Sequence, residues 1–372
     1  MSRKNQKIII CYHAIHEGDA IGNDILQQYL CLKNRADVYL YTLDLYLEET
    51  SPKSIQTLSK KKFLKETKSK HTILLLHYAG GWDEVNDIVD IVNESKCKIY
   101  LKYHNVTPAN FFTSYNSSLE KDAIKARKVL KKLIDSKKIK RYLPDSKYNG
   151  EELINFGVLN NKIKVVPPFF NGNAFQKQKI NINVLNEEIT NNVNVLFVGR
   201  FVPNKGHKHL LNIIYRYIST YDDNIQLTLI GRIPDGMESY YEEVLTTIDD
   251  LGLTPNVKIR LGVCFEDLFS YYSTSHVFLV CSEHEGFCVP IIEAQKLKVP
   301  VVAYDSSAIK DTIGDNQIVL SEMDYYQFVC AIYTLKQNLD YRIFLAEKGL
   351  ENVKRFSKKV TESALLDALK IA

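Results

Sequence analysis

Glu285 and Glu293 bracket the stretch of this chain whose residue types most clearly suit chemistry. The run Ser282-Glu283-His284-Glu285-Gly286-Phe287-Cys288-Val289-Pro290-Ile291-Ile292-Glu293-Ala294 follows an apolar strand candidate, Val277–Val280, and leads into an amphipathic stretch. Glycine before the junction and proline in the first turn suit a strand–loop–helix transition. The backbone N–H groups of Phe287, Cys288 and Val289 would then point out of a helix start, a ready site for a diphosphate. Two carboxylates beside an anion repel it unless they accept hydrogen bonds from hydroxyls, and sugar and ribose hydroxyls fit that role. An acidic loop residue also stabilises a helix start with no ligand at all.

A second constellation adds cations. Val195–Val198 ends in Gly199-Arg200, and Pro203-Asn204-Lys205-Gly206 precedes a stretch with Leu210, Leu211, Ile213, Ile214 and Ile218 on one face. Arg200 and Lys205 are expected to converge at the mouth of a sheet, where fixed cations offset charge developing on a leaving diphosphate. The first half offers fainter signals. Gly18 and Gly22 lie in the His13–Asn23 stretch, which lacks the G-x-G-x-x-G spacing of a nicotinamide site. His104 follows a strand candidate, and His13, His16 and His77 read as structural or peripheral. Asp145 and Ser146 read as helix caps.

These side chains need elements to position them. Both halves alternate short apolar runs with amphipathic stretches, the βαβ pattern of parallel sheets. Strand candidates are Lys7–Cys11, Val38–Tyr41, Thr72–His77, Lys98–Tyr103, Arg141–Leu143 and Lys162–Val166, then Val193–Val198, Gln226–Ile230, Lys258–Leu261, Val277–Val280, Val299–Ala303 and Ile318–Leu320. Pro167-Pro168 forbids helix and removes two donors, so the hinge is placed at Pro167–Phe170, before an asparagine-rich stretch from Asn171 to Asn194. The expected fold is α/β: two Rossmann-like doubly wound sheets, residues 1–167 and 168–356, facing a cleft at their strand carboxyl ends.

The run Glu285–Ala294 resembles the E-x7-E motif, E-G-F-G-x-P-x-x-E-A, of family-4 retaining glycosyltransferases, departing from it only at Cys288, where glycine is usual. Gly199-Arg200 with Lys205-Gly206 resembles the same family's phosphate loop, Tyr103–Pro108 its Y-H-N-I-T-P variant, and Asp145–Asn149 its D-S-x-Y-N turn. The resemblance implies the GT-B fold, retention of anomeric configuration and no required metal or other cofactor. It puts Glu285 on the transferred sugar, Glu293 on the ribose, and Arg200, Lys205 and the backbone of Gly286, Phe287, Cys288 and Val289 on the diphosphate. Gly18 and Gly199 would approach the donor, and His104 would sit near the reacting sugar. The implied reaction moves a hexose-type sugar from a UDP- or GDP-sugar to a glycan or lipid-linked acceptor, in surface polysaccharide or O-antigen-type assembly. The final stretch, residues 357–372, is expected to pack back on the first domain. The chain contains no Asp-x-Asp, so the usual carboxylate clamp for a diphosphate-bridging ion is missing.

Composition narrows the surroundings. The chain has 372 residues, 45% of them hydrophobic and 25% charged, as in a globular protein. Its apolar runs are strand-length, and seven scattered cysteines without a Cys-x-x-Cys pair suit reduced thiols, so a cytoplasmic location is expected. A net charge of +4 does not suggest nucleic acid. From Lys121 to Arg141, however, ten basic residues face only two acidic ones. Lys125, Lys128 and Lys132 share a helix face that could attract anionic membrane, although such runs are usually solvated surface. Two other classes fit the twin-sheet pattern: a nucleotide-sugar epimerase or phosphorylase, and a non-catalytic nucleotide-sugar or glycan-binding protein.

Overall fold

Strands that are apolar along their whole length, such as Ile8-Ile9-Ile10-Cys11 and Ile73–Leu76, have no solvent face to offer and must be covered on both sides. The computed structural model of the chain, which describes residues 6–16, 18–47, 55–81, 85–170 and 178–371, meets that requirement with two parallel sheets flanked by helices. Residues 171–177 of the expected linker lie outside the described residues.

The first half contributes β1 (Lys7–Cys11), β2 (Ala14–His16), β3 (Asp37–Tyr41), β4 (Asp44–Tyr46), β5 (Thr72–Tyr78), β6 (Lys98–Tyr103) and β7 (Ile139–Pro144). Its main sheet has the order β3-β1-β5-β6-β7, and β2 pairs with β4 in a separate parallel pair. That pair was not expected: three-residue strands are too short to show a period. Lys162–Val166 is not a full strand. It lies beside β7 through the bonds Lys164 N–H to Tyr142 O (3.0 Å) and Val166 N–H to Pro144 O (2.9 Å), and Pro167-Pro168 then remove further donors.

The second half contributes β8 (Val193–Val198), β9 (Ile225–Gly231), β10 (Val257–Leu261), β11 (Val277–Val280), β12 (Val301–Tyr304) and β13 (Ile318–Leu320), in the order β10-β9-β8-β11-β12-β13. The chain winds outward from β8 through β9 to β10, then returns to the other side of β8 with β11. The carboxyl ends of β8 and β11 therefore flank the topological switch point, where open α/β sheets leave a crevice for ligands.

Contacts divide the chain into two compact units. One holds residues 1–109, 120–170 and 356–372; the other holds 110–119 and 171–355. The C-terminal helix Lys358–Leu369 buries Leu365, Ala368 and Leu369 in the first unit's core, beside Ile8, Ile10 and Tyr100. Tyr100 Oη donates to Leu369 O at 3.3 Å, and Arg35 pairs with Glu362 at 3.0 Å. Residues 110–119 go to the second unit because Tyr115 Oη donates to Glu243 (2.7 Å) and Asn116 Nδ2 to Gly236 O (2.9 Å). The helix Ser117–Asp135 buries Ala126, Val129, Leu130 and Leu133 and leaves Lys121, Lys125, Lys128 and Lys132 exposed.

Candidate active site

The loop after β8 and the loop after β11 are stitched together by one asparagine. Asn204 Nδ2 donates to His284 O at 3.0 Å, while Asn204 O accepts from Glu283 N–H at 2.9 Å. Gly206, at φ 71°, lies so close to the second loop that a Cβ there would stand 2.1 Å from Cys281 O. Only glycine combines that backbone with that approach. The stitch brings Lys205 to Glu285: Nζ and Oε1 are 2.6 Å apart, with both side chains largely buried. From the other side, Glu285 N–H donates to Ser307 Oγ (2.7 Å) and Thr312 Oγ1 donates to Phe287 O (2.6 Å), fixing the loop's backbone.

The helix Val289–Lys296 starts at this loop with Pro290 in its first turn. The N–H groups of a helix start precede the i−4 ladder, so an anion placed there meets donors and the positive end of the dipole. Cys288, the capping residue, adopts φ 73°, a left-handed conformation that explains why glycine suits this position. Burial pushes its thiol well above the usual range, and the neighbouring Glu285 charge pushes it the same way.

Glu293, one turn into that helix, is partly buried and accepts a hydrogen bond from Tyr272 Oη at 2.8 Å. Burial raises its carboxyl to about 7, against the pull of the Tyr272 hydroxyl. Tyr272, Asn204 and Ser307 carry no motif signal and were missed by sequence reasoning; long-range packing alone brings them here.

Gly199 continues the β8 ladder through its N–H to Ile230 O (2.9 Å) and packs so tightly that a Cβ would touch the Phe197 ring at 2.8 Å. Arg200 is exposed, and among the described residues it enters no ion pair.

In the first unit, Gly18 has φ 88° and its N–H donates to Asn23 Oδ1 at 3.1 Å, just before the helix Ala20–Lys33, which Asp19 caps. His104 stands at the carboxyl end of β6, but its imidazole is 3% exposed and both ring nitrogens have partners: Asp145 Oδ2 at 2.8 Å and His77 Nδ1 at 2.8 Å. Its ring is therefore held between Asp145 and His77. Asp145 serves Lys102 and His104 in place of a helix start, while Ser146 does cap Lys147–Asn155 by accepting from Asn149 N–H (3.1 Å). Asp24, His77 and His104 are also close enough to share a metal ion.

Twin parallel sheets with a phosphate-suited loop pair at a switch point define a GT-B-type α/β protein. The model of the family described as glycosyl transferases group 1 matches residues 179–361. The chain is similar to two capsular polysaccharide biosynthesis glycosyltransferases of Staphylococcus aureus. CapH is 33% identical over 212 residues, 56% of this chain and 54% of the relative; CapM is 27% identical over 197 residues, 51% and 50%. The chain thus spans about half the length of these curated relatives. Among solved structures, Anabaena Alr3699/HepE in complex with UDP and glucose superposes with a TM-score of 0.78 over 98% of this chain and 99% of that one, at 15% identity. That likeness establishes the fold.

Proposed function

We propose that the protein is a retaining, metal-independent glycosyltransferase that moves a hexose-type sugar from a UDP- or GDP-sugar to a glycan or lipid-linked acceptor. The observation that carries this reading is the Lys205–Glu285 pair, 2.6 Å apart at the start of a helix that has no side-chain cap. It sets a cation for phosphate and an acid for a hydroxyl side by side, each orienting the other before a ligand arrives. The diphosphate takes Lys205, Arg200 and the backbone of Gly286–Val289, Glu285 accepts from a sugar hydroxyl, and Glu293 faces the ribose. The bond from the sugar's anomeric carbon to phosphate breaks as the acceptor oxygen bonds to that carbon. The departing phosphate takes the acceptor's proton on the same face, and the two cations and the helix start offset its charge. No metal or other cofactor is assigned a step. The first unit takes the acceptor.

The similarity to capsule enzymes supports a place in surface polysaccharide assembly. No helix among the described residues is long and apolar enough to cross a membrane. The exposed lysines of Ser117–Asp135 offer a peripheral contact to an anionic leaflet.

The test is a panel of nucleotide sugars, read by thermal stabilisation and then by transfer. A cognate donor at about 100 times its dissociation constant adds about 2.7 kcal/mol. Glu285→Ala and Lys205→Ala should each abolish transfer in folded protein; normal transfer by both overturns the assignment. Donor turnover without acceptor would point to an epimerase, and tight binding without consumption to a binding protein.

A further inference from the structure

Arg127 on the helix Ser117–Asp135, together with Tyr148, Glu151, Glu152, Asn155 and Phe156 on and just after the helix Lys147–Asn155, lines an open cavity in the first unit. Its volume of about 390 Å³ falls in the range of about 300–1,000 Å³ usual for small-molecule sites. Glu151, Glu152 and Asn155 follow Tyr148 by three, four and seven residues, so all four share one face of their helix. That face does not pack the core: the helix buries Asn149, Gly150 and Leu153 instead.

The inner wall of the cavity is committed to the fold. Arg127 pairs with Glu152 and donates through Nη2 to Val106 O at 3.2 Å. The other Glu152 oxygen accepts from Tyr103 Oη (2.7 Å) and Asn105 Nδ2 (3.1 Å). Asn105 takes a left-handed φ of 81° and also donates to Asn149 Oδ1 at 2.8 Å. The two charges of the wall therefore cancel, and their partners anchor the loop that leaves β6. The Arg127 guanidinium lies 5.8 Å from the centroid of the Phe156 ring, and its Nε is buried without a hydrogen-bond partner among the described residues. Buried polar atoms are ordinarily paired, so the wall is short of an acceptor at this point.

The rest of the lining is accessible. Glu151 and Asn155 are exposed, and Tyr148 and Phe156 are half-buried. This combination selects a chemistry. With Arg127 and Glu152 neutralising each other, Glu151 leaves one negative charge, which repels phosphate and other anions. A cation would have Glu151 as its counterion but the Arg127 guanidinium as its neighbour. An apolar ligand would strip water from Glu151 and Asn155 and return no hydrogen bonds. A pyranose meets each requirement. Its hydroxyls donate to the Glu151 carboxylate, exchange hydrogen bonds with the Asn155 amide and offer an oxygen to Arg127 Nε, while its C–H faces pack on aromatic rings.

We propose that this cavity binds a neutral pyranose unit of a glycan, with Tyr148, Glu151, Asn155 and Phe156 as its contacts and the Arg127–Glu152 pair as its fixed wall. The inference rests on the reading of the protein as a glycosyltransferase whose first unit takes the acceptor, and it assigns the cavity to a sugar of the acceptor chain. Because Arg127 and Glu152 also hold Val106 and Asn105, the cavity and the loop after β6 share one framework.

The experiment is saturation-transfer NMR with the methyl pyranosides of glucose, galactose, mannose and N-acetylglucosamine as probes. Three proteins are compared: wild type, Lys205→Ala, and the double variant Glu151→Gln/Asn155→Ala, with folding followed by melting. At least one pyranoside should give a signal with wild type and an equal one with Lys205→Ala. The double variant should weaken that binding by about tenfold or more, the loss expected for a hydrogen bond to a charged group. No signal from any pyranoside overturns the proposal, and so does a signal that the double variant leaves unchanged. Signal from L-lysine amide with none from the pyranosides also overturns it and assigns the cavity to a cation. If the double variant does not fold, amide shifts of nitrogen-15-labelled wild type decide: the pyranoside should move the resonances of residues 148–156, and shifts confined elsewhere overturn the proposal. The readout is binding to the first unit, so its failure is separate from a failure to find sugar transfer.

Discussion

Replacing Glu293 by glutamine tests whether the site stores an ionisation penalty. The carboxyl titrates at about 7 when folded, against an ordinary 4.5, because burial disfavours its charged form more than the Tyr272 hydroxyl helps it. That difference corresponds to about 3 kcal/mol. Between pH 4.5 and 7 the folded chain holds a proton that the unfolded chain has released, so stability falls as pH rises. The favourable contribution is complete below pH 4.5 and lost as pH passes 7. Glutamine keeps the shape and can still accept from Tyr272 while never ionising. In urea unfolding, Glu293→Gln should exceed wild type by up to about 3 kcal/mol at pH 8 and by less than about 1 kcal/mol at pH 5. Partial exposure of the carboxylate makes the larger figure a ceiling. A gap that does not change with pH, or a glutamine variant less stable than wild type at pH 8, would refute the reasoning. Transfer should fall even as stability rises, if the ribose needs this carboxylate.

Gly206→Ala should cost more than about 1 kcal/mol of unfolding free energy and lower transfer at least tenfold. The new methyl meets Cys281 O at a positive φ and pushes Lys205 away from Glu285; an unchanged melting midpoint would show that the two loops are not held by this approach. Cys288→Gly should leave stability within about 1 kcal/mol of wild type, since relief of left-handed strain opposes the added entropy of glycine in the unfolded chain. Transfer should persist, because the expected contact there is through backbone, and its loss would give the thiol itself a role.

The reach of the sequence is clearest where a requirement is local. Parallel sheets were readable because strands buried on both faces must be apolar throughout, as Ile8–Cys11 and Val277–Val280 are. The helix start after Glu285 was readable because glycine and proline constrain backbone within a few residues, and Gly199 and Lys205 announce their loop in the same way. Three-residue strands such as Ala14–His16 carry too little pattern to be seen. Tertiary structure alone decided the partners: Lys205 with Glu285 at 80 residues' separation, Tyr272 beneath Glu293, and Asn204 joining two loops. It also set the His104 ring between His77 and Asp145, where the sequence placed that residue only at a strand end. Strand order at the switch point determines which loops meet, and neither composition nor periodicity encodes strand order. Side-chain identity sets what each group can do, and the winding of the sheet sets which groups do it together.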